Sequence, residues 1–381
     1  MSQAFFLQWG QCREFAVAHG SPAFFYSKAV AVGAWRRLRQ ALPNRVVLAY
    51  AVKANPFPPL LEAFAALGAA FDCASSGELE AAVAAGAQRL FFAGPGKREN
   101  ELAGALRIGA RIQAESWEDL EKIEALATRA IPVNLRVHPL AAGEEKQPIL
   151  GGSGPAAFGV DEEDLPELLA RARKLRRVQI AGLHCFTASG ELRAEKLLQT
   201  HAAVVALARR LAEAGIELEQ IDVGGGLGIP YRDDEQELDI DALAQGLGEL
   251  LAANPWFKGE LVLEPGRWLA GPCGLYLTRV VRIKKSRGKL FAILEGGLNH
   301  LLRPLLTGQS FPAQAIGKSG PKRTYTLAGP LCTSLDRLGE VELPELQSGD
   351  LLAFGQCGAY GATEAMTHFL SHPPAKEVWL A

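Results

Sequence analysis

The chain of 381 residues exceeds the usual size of one compact domain, so a large domain with a smaller one is expected. Its 40 Lys and Arg nearly balance 42 Asp and Glu, and the net charge of −2 argues against nucleic-acid or anionic-membrane partners. With 48% hydrophobic and 22% charged residues the chain is too apolar to be disordered, and it has no uncharged apolar run of membrane-spanning length.

Short apolar runs rich in Val, Ile, Leu and Phe alternate with Ala/Leu/Glu-rich stretches at helical spacing. This alternation predicts parallel strands joined by helical crossovers. The predicted strands lie near 46–52, 71–74, 89–93, 111–114, 132–138, 178–186, 219–223 and 260–264. The number of these strands and the length of chain that they span match an α/β fold of the (β/α)8 TIM-barrel type. A doubly wound open sheet is the alternative.

The pattern changes near residue 275. Runs such as LYLTRVVRI and GDLLAFGQC, separated by turns and without a recurring amphipathic helix, predict a mostly antiparallel β domain. The predicted organisation is therefore an N-terminal segment over 1–25 that packs on the β domain, a barrel over 26–272 and the β domain over 273–381.

Cysteine usage and the N-terminus indicate the compartment. The six cysteines form no CxxC pair, so neither a redox motif nor a zinc site is expected, and we predict no metal. The start MSQAFFLQWG lacks the basic residues and cleavage site of a signal peptide. These features favour reduced thiols and a cytoplasmic location.

Polar residues recur at the carboxyl ends of the predicted barrel strands, where such barrels build their sites. Lys53 ends the first strand, His184 lies near the end of the sixth, Glu264 ends the eighth, and glycines 224–226 follow the seventh. A partly desolvated lysine suits Schiff-base chemistry, and a glycine turn exposes N–H groups to a phosphate.

Glu264 also suits a protonated ring nitrogen, and His184 suits the face of a flat ring. Each residue has an ordinary alternative: a surface lysine, a packed histidine, or an ion pair of Glu264 with Arg267. Together they are the set that pyridoxal phosphate requires.

Seven segments resemble the signature segments of the fold-type III pyridoxal-phosphate decarboxylases, a group that includes diaminopimelate and ornithine decarboxylases. They are YAVKANP, FDCASSGELE, HCFTASG, IDVGGGLG, LEPGRWLAG, GPLCTSLD and FGQCGAY, in the family's order. The resemblance implies an amino-acid α-decarboxylase that binds pyridoxal 5′-phosphate in its barrel and acts as a homodimer with shared active sites.

The resemblance also implies a role for each matching residue. Lys53 would hold the cofactor as a Schiff base, His184 would stack on its ring, and Glu264 would pair with the ring nitrogen. Cys332 would enter from the partner subunit and help to protonate the carbanion left by CO₂. The other implied cofactor-binding residues are Asp72 and Arg136 near the lysine end, and Thr187, Gly224, Gly225, Gly226, Arg267 and Tyr360 around the phosphate.

The positions expected to bind substrate depart from the diaminopimelate pattern. Thr333 stands where those enzymes usually carry an acidic residue, Ala157 where they carry a lysine, and Glu295 where they carry an aspartate. Arg303 matches an arginine that holds a distal carboxylate, with a surface arginine as the equal alternative. Asp336 completes the expected substrate-binding set.

Other segments, among them EGGLNH and GPLCTSLDRLG, look similar to decarboxylases of secondary-metabolite pathways. Those enzymes act on an amino acid joined to a carrier-protein thioester or to citrate. We therefore expect a conjugated substrate, preferably a citryl-linked amino acid of carboxylate-siderophore biosynthesis. The alternative is meso-diaminopimelate.

Two other classes of protein remain open. An alanine-racemase-like enzyme would use the same fold and lysine, but such racemases favour an arginine at the ring nitrogen, which Glu264 argues against. A non-catalytic relative that binds a protein partner would be expected to have lost cofactor residues. Lys53, His184, Glu264 and Cys332 are all present.

Overall fold

The structure is a computed structural model that describes residues 10–140, 155–186 and 188–381. The described chain forms two compact units. The first contains the described residues of Trp35–Gly228 together with Leu238–Gly266. The second contains the described residues up to Ala34, Ile229–Glu237 and Arg267–Ala381.

The boundaries of these units differ from the predicted divisions after residues 25 and 272. A strand over 23–27 crosses the first predicted boundary, and its hydrogen bonds go to strands of the second unit. Residues 229–237 also belong there, because the carbonyl of Pro230 accepts a bond from Gln356 and Tyr231 packs edge-on against Phe311.

The strands are numbered in chain order. They are β1 Ala23–Ser27, β2 Val46–Ala51, β3 Ala70–Cys73, β4 Leu90–Phe92, β5 Arg111–Ala114, β6 Ile131–His138, β7 Val160–Asp161, β8 Val178–His184, β9 Gln220–Asp222, β10 Glu260–Leu263, β11 Gly274–Ser286, β12 Lys289–Leu294, β13 Ala313–Ala315, β14 Lys322–Ala328, β15 Arg337–Pro344, β16 Leu351–Phe354 and β17 Lys376–Leu380. The α-helices are Cys12–His19, Lys28–Ala41, Pro58–Ala65, Ser76–Ala84, Glu99–Arg107, Trp117–Leu126, Leu165–Ala172, Ala194–Glu213, Ile240–Ala253, Arg267–Ala270 and Arg303–Thr307.

Eight parallel strands close the barrel of the first unit in the order β2, β3, β4, β5, β6, β8, β9, β10. Pairing of β10 with β2 and of β5 with β6 completes the ring, and the short β7 adds to β6. The predicted TIM barrel is thereby confirmed. Each of the eight predicted barrel strands overlaps one of these strands.

Local sequence explains where several crossover helices begin. The side chains of Ser75, Ser116 and Asp239 each accept a hydrogen bond from the backbone N–H three residues later. A capping side chain satisfies one of the N–H groups that an α-helix leaves unpaired in its first turn. The helices therefore start immediately after the loops that leave the strands.

Small and large residues together fill the barrel. Ala49, Ala70, Phe91 and Val262 form one buried cluster, with Val47 partly buried against it. Polar side chains also enter the interior, where Asn134 donates to Gln220. Gly182 is required opposite them, because a Cβ there would clash with the Asn134 side chain.

The second unit is built on a mostly antiparallel sheet in the order β13, β16, β11, β12, β14, β15, as the sequence predicts. The strand β1 adds to β11 and pairs in parallel with β17, so the N-terminal strand belongs to this sheet. Its core joins the N-terminal helix to the strands through Cys12, Ala16, Phe25, Leu275 and Leu277. No helix among the described residues has the length and apolar character needed to cross a membrane.

Candidate active site

The register of the barrel strands places polar side chains at their carboxyl ends. Arg136 on β6 is paired with His184 on β8, and His184 is paired with Asp222 on β9. Glu264 directly follows β10, and Lys53 follows β2. Because parallel strands present their carboxyl ends at one rim, the closed barrel brings these residues together.

Lys53 lies in a short 3₁₀ turn, Val52–Ala54, at this rim. Its Nζ atom stands 4.8 Å from the centroid of the Phe186 ring. The predicted partial desolvation is wrong, because the Lys53 side chain is exposed. Gly266 packs closely against this turn, since a Cβ there would come within 2.9 Å of the Ala54 Cβ. The loop that carries Glu264 is thereby held beside the turn that carries Lys53.

His184 and Glu264 are the most distinctive pair at the rim. They are 1% and 3% exposed, and His184 Nε2 lies 3.6 Å from Glu264 Oε1. Within the described residues, that oxygen and both ring nitrogens of His184 have no hydrogen-bond partner. Buried polar atoms without partners are costly, so these atoms indicate a bound group. A flat ring with a protonated nitrogen fits both residues.

The electrostatics of Glu264 suit the same group. Burial would raise the pKa of its carboxyl, but the charges of His184 and Lys53 lower the pKa to about 2. Glu264 is therefore a carboxylate at neutral pH. An anion is the form that pairs with a protonated ring nitrogen and strengthens its withdrawal of electrons.

Asp72 on β3 is buried, and its Oδ1 atom has no hydrogen-bond partner among the described residues. Burial and the charge of Glu264 raise its pKa to about 8, whereas the charge of Lys53 opposes the rise. The Asp72 carboxyl is thus mainly neutral at pH 7. Its place at the lysine end of the cofactor stays a prediction.

Arg136 belongs to a buried ionic network that sequence reasoning missed. Its Nη1 donates to Glu115 Oε1 at 3.0 Å, and its guanidinium lies 4.9 Å from the centroid of Phe158. Lys97 Nζ lies 2.8 Å from Asp119 Oδ2 and 3.7 Å from Glu115. Although burial opposes it, the charges of Arg136 and Lys97 lower the pKa of Glu115. The network fixes the position of Arg136 at the rim.

The glycine run after β9 is required by the backbone itself. Gly224 and Gly226 have φ angles of 71° and 96°, in the region that L-residues other than glycine rarely adopt. A Cβ at Gly225 would clash with the carbonyl oxygen of Glu264. The role of these glycines in binding a phosphate stays a prediction. Thr187, predicted to help them, lies outside the described residues.

In the second unit two predicted arginines lie close to the ring of a third predicted residue, Tyr360. The guanidinium carbons of Arg267 and Arg303 each lie 4.7 Å from the centroid of Tyr360, and Arg267 donates to the hydroxyl of Tyr231 at 2.9 Å. Arg303 Nη1 donates to both carboxylate oxygens of Glu364, at 2.9 and 3.0 Å. Arg303 is 5% exposed, so its interpretation as a surface arginine is wrong.

The hydrogen bonds of Asp336 differ from those expected of a substrate-binding residue. Its Oδ1 accepts the N–H of Leu298 and its Oδ2 accepts the N–H of Leu331, each at 2.7 Å, and the side chain is buried. Both carboxylate oxygens are thus engaged by the main chain. Asp336 anchors the loop that carries Cys332, which is exposed, and Thr333, which is half-buried.

Asp222, Gln113 and Glu364 are further residues that the sequence did not single out. Asp222 and Gln113 lie in short barrel strands that each carry a second polar residue, Gln220 and Arg111, so polarity alone did not mark them. Glu364 carried no local signal either. Its contact with Arg303 joins residues 61 positions apart.

Three comparisons with known proteins agree with this geometry. Residues 30–271 match the profile described as the pyridoxal-binding domain of the pyridoxal-dependent decarboxylases. The chain is 34% identical to a diaminopimelate decarboxylase of Pseudomonas aeruginosa over 350 residues, which cover 90% of this chain and 83% of the relative. It is 32% identical to the L-glutamyl-[BtrI acyl-carrier protein] decarboxylase of Niallia circulans over 378 residues, covering 94% and 88%.

The fold has a similar counterpart among solved structures. The diaminopimelate decarboxylase of Helicobacter pylori, complexed with L-lysine, superposes with a TM-score of 0.90 at 29% identity. The match covers 97% of this chain and 94% of that one.

Proposed function

Because this chain belongs to the pyridoxal-phosphate-dependent amino-acid decarboxylases, we propose that it removes the α-carboxyl group of meso-diaminopimelate. The observation that carries the proposal is the buried pair His184 and Glu264, with unpartnered polar atoms, at the same barrel rim as Lys53. The substrate is suggested by relatives named as diaminopimelate decarboxylases that match most of the chain.

The chemistry divides between the cofactor and the chain. Bound pyridoxal phosphate supplies a conjugated ring that accepts the electron pair left when the carboxyl group departs as CO₂. The amine of Lys53 would hold the cofactor as a Schiff base. Glu264 would keep the ring nitrogen of the cofactor protonated, and His184 would limit the movement of the ring. The Cys332 thiol is the proposed proton donor to the α-carbon.

A second candidate substrate is an amino acid conjugated through its distal end. The specific observation in its favour is that the residues expected to bind the distal group of the substrate offer little unpaired charge. Arg303 is already neutralised by Glu364, and Thr333 is uncharged where diaminopimelate enzymes usually carry an acid. A thioester linked to a carrier protein has no distal ammonium or carboxylate. The Niallia circulans relative, named for such a substrate, supports this version, whereas the citryl-linked version rests on motif similarity alone.

We also infer a homodimer in which Cys332 completes the site of the partner. In the described chain Cys332 is exposed, and the apolar side chains of Leu305, Leu306 and Leu335 are 41%, 46% and 56% exposed. The test mixes Lys53→Ala protein with Cys332→Ala protein after mild dissociation. Shared sites predict recovery of about a quarter of wild-type activity, because half of the dimers are mixed and each holds one intact site. Sites built within one chain predict no recovery.

The test of the substrate measures CO₂ release by the purified protein loaded with pyridoxal phosphate. The panel contains meso-diaminopimelate, lysine, ornithine and arginine, citryl conjugates of diaminopropionate and diaminobutyrate, and a glutamyl thioester on a carrier protein. Preference for meso-diaminopimelate supports the first candidate. Release from a conjugate with little from any free amino acid replaces it with the second. No release from any member contradicts both.

A further inference from the structure

The carboxyl group of Asp222 is buried in the barrel beside Glu264, outside the set of residues that the sequence assigned to the site. Asp222 is the last residue of β9, with 0% of its surface exposed. Its Oδ1 accepts the N–H of Gly224 at 2.9 Å, and its Oδ2 accepts Gln113 Nε2 at 3.0 Å. These two bonds fix the side chain in one orientation.

Asp222 forms a compact group with the two residues that face the predicted cofactor ring. One side-chain atom from each of His184, Asp222 and Glu264 lies within 4.8 Å of the other two. Two buried carboxyl groups at this separation cannot both ionise without a large electrostatic cost. One proton is therefore shared by the pair.

The surroundings decide which carboxyl holds that proton. Glu264 has the cationic amine of Lys53 near it and His184 Nε2 at 3.6 Å. At Asp222 the carboxyl groups of Glu264 and Asp72 oppose ionisation, whereas the N–H of Gly224 favours it. A negative charge is thus better stabilised on Glu264 than on Asp222. Burial and the charge of Glu264 raise the pKa of Asp222 well above its ordinary value.

We propose that Asp222 is a positioning residue: a neutral carboxylic acid that donates its proton in a hydrogen bond to Glu264 and so keeps Glu264 ionised for the ring nitrogen. The donated bond also orients Glu264, while the unpartnered Oε1 remains available on the His184 side. This inference rests on the cofactor and not on the identity of the substrate.

The test is infrared difference spectroscopy of the holoenzyme at pH 7, comparing wild type with Asp222→Asn. A neutral Asp222 predicts loss of a protonated-carboxyl band in the variant. Loss of a carboxylate band instead would show that Asp222 is ionised and would overturn the proposal. Asp72→Asn is the matched control, because Asp72 is a second buried carboxyl that is neutral near this pH. The infrared band of the Asp72 carboxyl must be resolved from the band of Asp222 and must remain in Asp222→Asn.

A second measurement uses the affinity for pyridoxal phosphate and the pH dependence of its visible absorbance. An asparagine at 222 can donate to Glu264 as the neutral acid does, so we expect cofactor affinity within about threefold of wild type. Asp222→Ala removes the donor and is expected to weaken affinity by about tenfold and shift the absorbance titration. If both variants lose cofactor affinity equally and neither shifts the pH titration of the visible absorbance, Asp222 has only a packing role.

If Asp222→Asn does not fold, Glu264→Gln tests the same coupling. Without the Glu264 charge, burial still keeps Asp222 neutral. Its proposed hydrogen bond would then go to an amide instead of a carboxylate, so its protonated-carboxyl band is expected to remain and to shift in frequency. An unshifted band would contradict the proposed hydrogen bond from Asp222 to Glu264. Neither readout requires turnover, so failure of the proposed substrate would leave this result unchanged.

Discussion

Arg303 donates two hydrogen bonds through Nη1 to the carboxylate of Glu364, so a buried cation is neutralised by the chain itself. A guanidinium that already binds one carboxylate is less available to a second. This internal pair matters for substrate choice, because the resemblance to diaminopimelate enzymes assigns Arg303 to a distal carboxylate. The pair should therefore affect turnover of the two candidate substrates differently, and kinetics can measure the difference.

The first prediction concerns Glu364→Gln. The amide cannot neutralise Arg303, so we expect kcat/KM for meso-diaminopimelate to rise by about tenfold relative to a conjugate without a distal carboxylate. Steady-state kinetics on both substrates measure the ratio. Glu342→Gln, on an exposed part of β15, is the control and should leave the ratio unchanged. An unchanged ratio in Glu364→Gln would mean that Arg303 does not contact the distal group.

The second prediction concerns Lys53→Ala. Loss of the amine removes the covalent link to the cofactor, so CO₂ release and the visible absorbance of the bound Schiff base should both disappear. Absorbance after gel filtration and CO₂ release are measured on the same preparation. Lys258→Ala, an exposed lysine of the same unit, should retain both signals. Retention of both by Lys53→Ala would exclude Lys53 as the cofactor lysine.

The third prediction concerns Lys97→Met. Lys97 is buried between Asp119 and Glu115, and its removal leaves the buried Asp119 without its cation, whereas Glu115 keeps Arg136. We expect the free energy of unfolding to fall by about 3–5 kcal/mol. Urea denaturation measures it, with the exposed Lys174→Met as the control. A loss below about 1 kcal/mol would match a surface ion pair and contradict the buried network.

The fourth prediction concerns the pH dependence of stability. Burial lowers the pKa of His201 from an ordinary 6.5 to about 4. Between these values the unfolded chain binds a proton that the folded chain does not, so stability falls as the pH drops from 6.5 to 4. The contribution is about 3 kcal/mol at 1.36 kcal/mol per pKa unit.

Replacing His201 with leucine should remove this contribution. Urea denaturation at several pH values between 4 and 7 should show a flatter profile for His201→Leu than for wild type. His368→Leu, at an exposed position, should keep the wild-type profile. Parallel profiles for wild type and His201→Leu would show that His201 binds its proton equally in the folded and unfolded chains.

The sequence by itself determined the barrel and the second β sheet, and it singled out the candidate site residues. The alternation of apolar runs with helical stretches is a local property of the sequence. It predicted all eight barrel strands because the hydrophobic period and the length of a strand can both be read directly from consecutive residues. Lys53, His184 and Glu264 were found because each lies at a strand end, and the closed barrel brings strand ends to one rim.

Only the tertiary structure decided the environment of those residues. Arg303 meets Glu364, Lys97 meets Asp119, and Asp336 meets the backbone of Leu298 across separations that no local pattern reports. The exposure of Lys53 was also misjudged, because an apolar strand does not determine how its last side chain leaves the barrel. Burial and charge pairing depend on atoms brought together by folding. The protonation states that distinguish Asp222 from Glu264 therefore follow from the structure and not from the residue types.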